Sequence, residues 1–244
     1  MSDLVARVLR CLMVAAGCIL FCVPKALAVS LNVALKSQRS VYMGYSNHDV
    51  RALSPNGKVE VTITGKKDSL GAWVTVKQLP EGGSIRVWPV ERNVDVLWKP
   101  NSSAFALTDN RYANRSYVLI VGTKFHMSGK CLGVRRFDLT PLVKRALMKR
   151  VRMYYRRRFG ISNAGEPYSL YVKAVRWVGN ERLLIGVFAI TSLPLHKLGA
   201  AKGVKAWERG YLVDVSRMTI MRVVSERTMR ARYGVHFSRL IQGS

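Results

Sequence analysis

The chemistry this chain could do is concentrated in one short run. Between Pro141 and Gly160 stand eight basic residues, Lys144, Arg145, Lys149, Arg150, Arg152, Arg156, Arg157 and Arg158, and no acid. Fixed cations at that density attract polyanions such as nucleic acid, anionic lipid headgroups or acidic envelope polymers. The plainer reading is a helix whose charged side simply stands in water. Tyr154, Tyr155 and Phe159 lie in the same run. They do not alternate with the basic residues as a stacking platform for single-stranded bases requires. Other chemistry-bearing residues do not assemble. His48, His126, His196 and His236 are scattered without metal-ligand spacing. His48 and Asp49 adjoin, but neighbours in a strand point to opposite faces and no third group of a triad is visible. The sequence holds no Gly-x-Ser-x-Gly elbow, phosphate loop or dinucleotide fingerprint, and no zinc-finger, RRM or KH signature. The expectation is no catalysis, no cofactor and no metal, with an enzyme kept as a third alternative.

A basic run becomes a face only on a regular element. Val143, Leu147, Val151 and Tyr154 recur at i, i+4, i+8 and i+11, the spacing of one helical side. Arg145, Lys149, Arg152 and Arg156 form a second stripe on the same helix. Asp138-Leu139-Thr140-Pro141 reads as its start, with Thr140 able to cap and Pro141 suited to the first turn. Gly160 reads as its stop, behind basic residues that suit the negative end of the helix dipole.

The rest of the chain reads as strands. Val94, Val96 and Trp98 alternate onto one face, Lys99-Pro100-Asn101-Ser102 turns the chain, and Ala104 to Leu107 returns. Ser54-Pro55-Asn56-Gly57 is a second Pro-Asn turn, 45 residues earlier, followed by the alternating strand Val59 to Thr64. Ala72 to Leu79, Ile85 to Trp88 and Tyr117 to Val121 are further strands, the second ended by Pro89. Asn110 to Ser116 reads as a polar loop. Ser169 to Trp177 places Leu170, Val172, Ala174 and Arg176 on one face, turns at Val178-Gly179-Asn180-Glu181, and returns over Arg182 to Ile190. This hairpin echoes Trp98 before its own turn. Leu193 to Ala206 reads as a loop, Tyr211 to Val224 as a hairpin turning at Ser216-Arg217, and Ser225 as the cap of a short helix ending at Tyr233-Gly234.

The turns Ser54-Pro55-Asn56-Gly57-Lys58 and Trp98-Lys99-Pro100-Asn101-Ser102 resemble the Ser-Pro-Asp-Gly and Trp-Ser-Pro-Asp-Ser turns of TolB-like and WD-type propeller repeats. They also resemble small secreted bacterial proteins of unknown function that carry such repeats. Asn56 and Asn101 stand where those repeats have Asp, and Lys99 where they have Ser. The resemblance covers Arg51 to Asn110 well and Tyr171 to Val224 loosely. It implies a mainly β fold, either propeller-like or an open set of meanders; the length of the chain leaves room for three to four blade-like units beside the inserted basic amphipathic helix at about 140–160. The resemblance also implies an interaction platform rather than a catalyst.

The chain has 244 residues, enough for a single core. Its 40 Lys and Arg outnumber 14 Asp and Glu, for a net charge of +26. Such a surface repels its own copies, so a monomer is expected. Arg7 and Arg10 precede the apolar run Cys11 to Val23, and small residues Ala26 and Ala28 follow Pro24. That is the three-part form of a secretory signal over 1–28, leaving a single β-rich domain over 29–244. The run is shorter than the ~20 residues that span a bilayer. Cleavage would remove Cys11, Cys18 and Cys22 and leave Cys131, a small, partly buried residue that cannot form an internal disulfide. The functional expectation is an exported, periplasmic or secreted binding or structural module for a protein or anionic envelope partner. The alternative is a polyanion-binding protein using the helix at 141–160. Nucleic acid ranks behind, because export removes the chain from genomic DNA. Intact mass on the protein from fractionated bacterial cells should show a periplasmic or secreted species beginning at Val29. A full-length cytoplasmic species would overturn export and make nucleic acid the leading partner.

Overall fold

A computed structural model of the chain describes residues 38–44, 50–65, 71–80, 82–125, 131–161, 165–192 and 204–235. The signal-like segment with Ala26 and Ala28, the His48-Asp49 pair, His126, His196 and His236 lie outside the described residues, as does the side chain of Cys131.

Alternating apolar and polar residues build three antiparallel meanders. The elements are β1 (Val41–Gly44), β2 (Ala52–Leu53), β3 (Val59–Thr64), β4 (Ala72–Gln78), β5 (Ser84–Val90), β6 (Asn93–Trp98), β7 (Ala104–Tyr112), β8 (Arg115–Phe125), β9 (Cys131–Asp138), α1 (Thr140–Phe159), β10 (Ser169–Val178), β11 (Arg182–Ser192), β12 (Val204–Asp214), β13 (Thr219–Ser225) and α2 (Glu226–Tyr233). One sheet has the order β2-β3-β4-β5. The other runs β1-β6-β7-β8-β10-β11-β12-β13, with β9 also on β8. The fold is mainly β, with open sheets and no closed barrel among the described residues.

The β6–β7 hairpin lies at the centre. Its Val94, Val96, Trp98, Phe105 and Leu107 join Val59, Val61, Ile63, Val74 and Val76 of β3 and β4 in one core. Its other face, with Leu97, Ala104 and Ala106, joins α1 and the inner face of β10–β12 in a second core. The large sheet bends to allow this. β9 takes the edge of β8 from Leu119 onward, and β10 meets β8 in parallel only at its start, Leu170 opposite Arg115. The Ser116 hydroxyl completes that joint, donating to the Val172 carbonyl at 2.7 Å and accepting from its N–H at 2.6 Å. Farther along, the Ala174 N–H donates to the Thr108 hydroxyl and Trp177 Nε1 to the Leu97 carbonyl, each at 3.1 Å. β10 thus crosses over β7 and β6.

A third, smaller core holds Leu184, Phe188 and Val224 beneath Met229 of α2. Gly210 makes room there: a side chain at that position would collide with the Met229 thioether. As expected, Ser225 caps α2, accepting the Thr228 N–H at 3.2 Å.

The echoing turns are spatial neighbours. In each, the Asn carboxamide accepts the N–H two residues on, at 3.1 Å for Asn56 and 3.2 Å for Asn101. The Asn56 N–H in turn donates to the Ser102 hydroxyl at 3.1 Å. Lys99 reaches Glu181 of the third turn at 3.4 Å. The repeated turns lie beside one another.

Several local expectations are corrected. β5 runs through Pro89, because an edge strand tolerates a missing N–H. The loop expected over 110–116 is a tight hairpin between β7 and β8. A bulge between Ala174 and Arg176 brings Trp177 into the core and leaves Arg176 exposed. β12 begins at Val204, inside the expected loop over 193–206. β1 and β9 were not expected from periodicity.

Leu147 of α1 has no exposed surface. Leu147→Ala should lower stability by about 2–5 kcal/mol through lost burial and a cavity. Arg145→Ala, on the water side of the same helix, should stay within about 0.5 kcal/mol. Urea denaturation of the two variants checks this contrast.

Candidate anion-binding face

Helix α1 is seated by Val143, Leu147, Met148, Val151 and Tyr155. Tyr155 completes the buried stripe; the expected Tyr154 is only partly buried. Thr140 does not cap the helix. Its hydroxyl instead accepts the Val118 N–H of β8 at 2.9 Å, while Asp138 accepts the Thr140 N–H at 2.8 Å. The core contact competes for the hydroxyl, and a neighbouring carboxylate takes over the first-turn donor. At the other end Gly160 adopts φ 68° and its N–H returns to the Arg156 carbonyl, as the sequence suggested.

This seating sorts the eight basic residues. Lys144 is paired with Glu166. The other seven are exposed, and among the described residues none has a carboxylate within ion-pair distance. Arg145, Lys149, Arg152 and Arg156 form an outer stripe facing water. Arg150 and Arg157, two turns apart, lie on the flank toward β12. There they join Arg158, Met153, Tyr154, Trp207 and Arg209 around a hollow of about 400 Å³.

β12 builds the opposite wall by alternation. Trp207 and Tyr211 point toward α1, into the same core as Leu147, and Lys205 and Arg209 share that parity. Trp207 is anchored by its Nε1, which donates to the Thr191 hydroxyl at 2.9 Å. That hydroxyl also meets the Tyr155 phenol at 2.8 Å. Tyr154 stands edge-on to Trp207, with ring centroids 5.3 Å apart. Lys205 Nζ lies 4.5 Å from the Tyr154 centroid. Burial pushes the Tyr211 phenol up to about 12, against the opposing pull of the Arg150 and Arg209 charges. Its hydroxyl has no hydrogen-bond partner among the described residues.

The arrangement suits anion capture. Guanidinium forks grip carboxylates and phosphates in two-point fashion. Among the described residues no His, Cys, Asp or Glu lines the hollow, and no three such side chains cluster. A second charged group differs in kind. Buried Asp109 accepts from Trp88 Nε1 and Arg111 Nε, both at 2.7 Å, and Arg111 also pairs with Glu91 at 3.3 Å. Those charges neutralise one another inside the fold.

Sequence reading found the helix and its cations, but not Met153, Trp207 and Arg209 as partners. The available signal was the period of two in Lys205, Trp207, Arg209 and Tyr211, masked by the Gly- and Lys-rich residues before it. No protein-family model matches this chain, and no curated protein matches it.

Because its raised pKa favours the neutral phenol in the folded state, Tyr211 contributes stability that is full below pH ~10 and is lost as pH rises toward the folded value. Tyr211→Phe should remove that alkaline loss. At neutral pH it should leave stability unchanged or raised by up to about 1 kcal/mol, since it deletes an unpartnered buried hydroxyl. Denaturation midpoints between pH 7 and pH 11 test both effects.

Proposed function

We propose that this chain is a non-catalytic binding protein that holds an anionic macromolecular partner on the exposed face of α1. The observation that carries the reading is that seven exposed cations of one helix have no carboxylate within ion-pair distance among the described residues. Some cations elsewhere meet acids, as Lys173 does Asp95 at 3.2 Å, Arg111 does Asp109 at 2.7 Å and Arg230 does Glu208 at 3.2 Å; what sets α1 apart is the density of its exposed cations. Unpaired like charges gathered on one face repel, and an anionic partner relieves that repulsion.

Export belongs to the same reading, supported by the basic, apolar and small-residue order of 1–28. It directs the proposal to the periplasm or cell exterior and to protein or envelope partners ahead of nucleic acid. Net charge supports a monomer. For the fold, open meanders are preferred to radial blades, because one sheet continues through β6, β7, β8 and β10 to β13.

A labelled polyglutamate titrated by fluorescence anisotropy tests the binding. Affinity should fall steeply as salt rises, because screening weakens exposed charge pairs. Replacing Arg145, Lys149, Arg152 and Arg156 together by Gln should weaken binding by about tenfold or more, each lost contact being worth a few tenths to 1 kcal/mol. A salt-independent affinity would remove α1 as the binding face, and a quadruple variant that binds as well as the parent would remove its outer stripe.

A further inference from the structure

We infer that the hollow between α1 and β12 anchors an acidic protein segment carrying one apolar side chain between its carboxylates. This rests on the proposed anionic partner and names its class. The rim is cationic, from Arg150, Arg157, Arg158 and Arg209. The floor is apolar, from Met153, Tyr154 and Trp207. Met153 is 43% exposed, a wet thioether amid guanidinium groups. A ligand that satisfies the rim alone leaves Met153 and the accessible part of Tyr154 in water, so the best complement is charged at its edges and greasy at its centre.

Other polyanions fit less well. A phosphate or sulfate polymer offers nothing apolar for the floor. A single-stranded base needs a free ring face. Trp207 is only 8% exposed, and Tyr154 already engages Tyr155, Phe159 and Trp207 edge-on with Lys205 above its ring. A lipid surface calls for an apolar helix face free to dip into the bilayer, whereas that face of α1 is buried on the sheet. A second copy of this chain brings a net charge of +26 toward four arginines. Six of the eight cations of α1 are Arg rather than Lys. Together with Trp, Tyr and Met they make the composition that enriches the centres of protein interfaces. The volume, about 400 Å³, falls in the range of sites that take one compact group.

Two peptides of equal charge test this by calorimetry on the purified chain: octaglutamate, and the same peptide with one Phe inserted at its midpoint. The Phe peptide should bind about tenfold tighter, as expected for one anchored apolar side chain. Met153→Ser, at an exposed position, should erase that advantage while octaglutamate binds as before. Equal affinity of the two peptides, or an advantage that survives Met153→Ser, overturns the inference. So does tighter binding of an oligothymidylate or of phosphatidylglycerol vesicles than of the Phe peptide. Salt-sensitive octaglutamate binding with no Phe advantage would sink this inference alone. If neither peptide bound, the anionic partner itself would fall as well.

Discussion

Burial of the β6–β7 hairpin on both faces is the constraint from which the remaining architecture follows. Every residue from Asn93 to Trp98 and from Ala104 to Asp109 is buried. Such a hairpin requires a covering layer on each side. β2–β5 supply one, and α1 with β10–β12 supply the other. The same burial makes partners for the hairpin's buried charges important, since an unpaired charge away from water is costly, although Asn93 Oδ1 and Asp109 Oδ1 have no partner among the described residues. Those partners come from the covering layers. Asp109 takes Trp88 of β5, Asp95 takes Lys173 of β10 at 3.2 Å, and Thr108 takes the Ala174 N–H. The polar residues therefore pin each layer at a definite register, where apolar contact alone would allow sliding.

The second covering layer explains the helix. β10 crosses the hairpin obliquely, and α1 fills the space between β8 and the inner face of β10–β13. One side of α1 must then be apolar and the other faces water. The helical phase that buries Val143, Leu147 and Val151 also turns Arg150 and Arg157 toward Arg209 of β12. The hollow is a consequence of how the helix is seated, and Arg209 enters it because β12 alternates its side chains. Close guanidinium groups are tolerated there because water and salt screen them.

The Pro-Asn turns show how a local resemblance can be present while its architectural meaning differs. The Asn side chains brace their own turns, as turn chemistry requires. Yet the turns contact one another across open, layered sheets, through Asn56 to Ser102 and Lys99 to Glu181. A turn motif specifies a reversal of the chain. It carries no instruction about which sheets the flanking strands will join.

What the sequence determined by itself was local: the span of α1 and its cationic stripe, the Ser225 cap and Gly234 stop of α2, the Pro-Asn turns, and the faces of β3, β4 and β6. Those features depend on residues within a few positions of one another, where backbone geometry sets the period. Only the tertiary structure decided that β6 and β7 are covered twice, that Thr140 spends its hydroxyl on β8, and that a bulge exchanges Arg176 for Trp177 in the core. It alone brought Arg209 and Trp207 to Arg150 and Arg157, across more than forty residues of chain. The physical reason is that periodicity states which face of an element avoids water, while packing chooses which other face it meets.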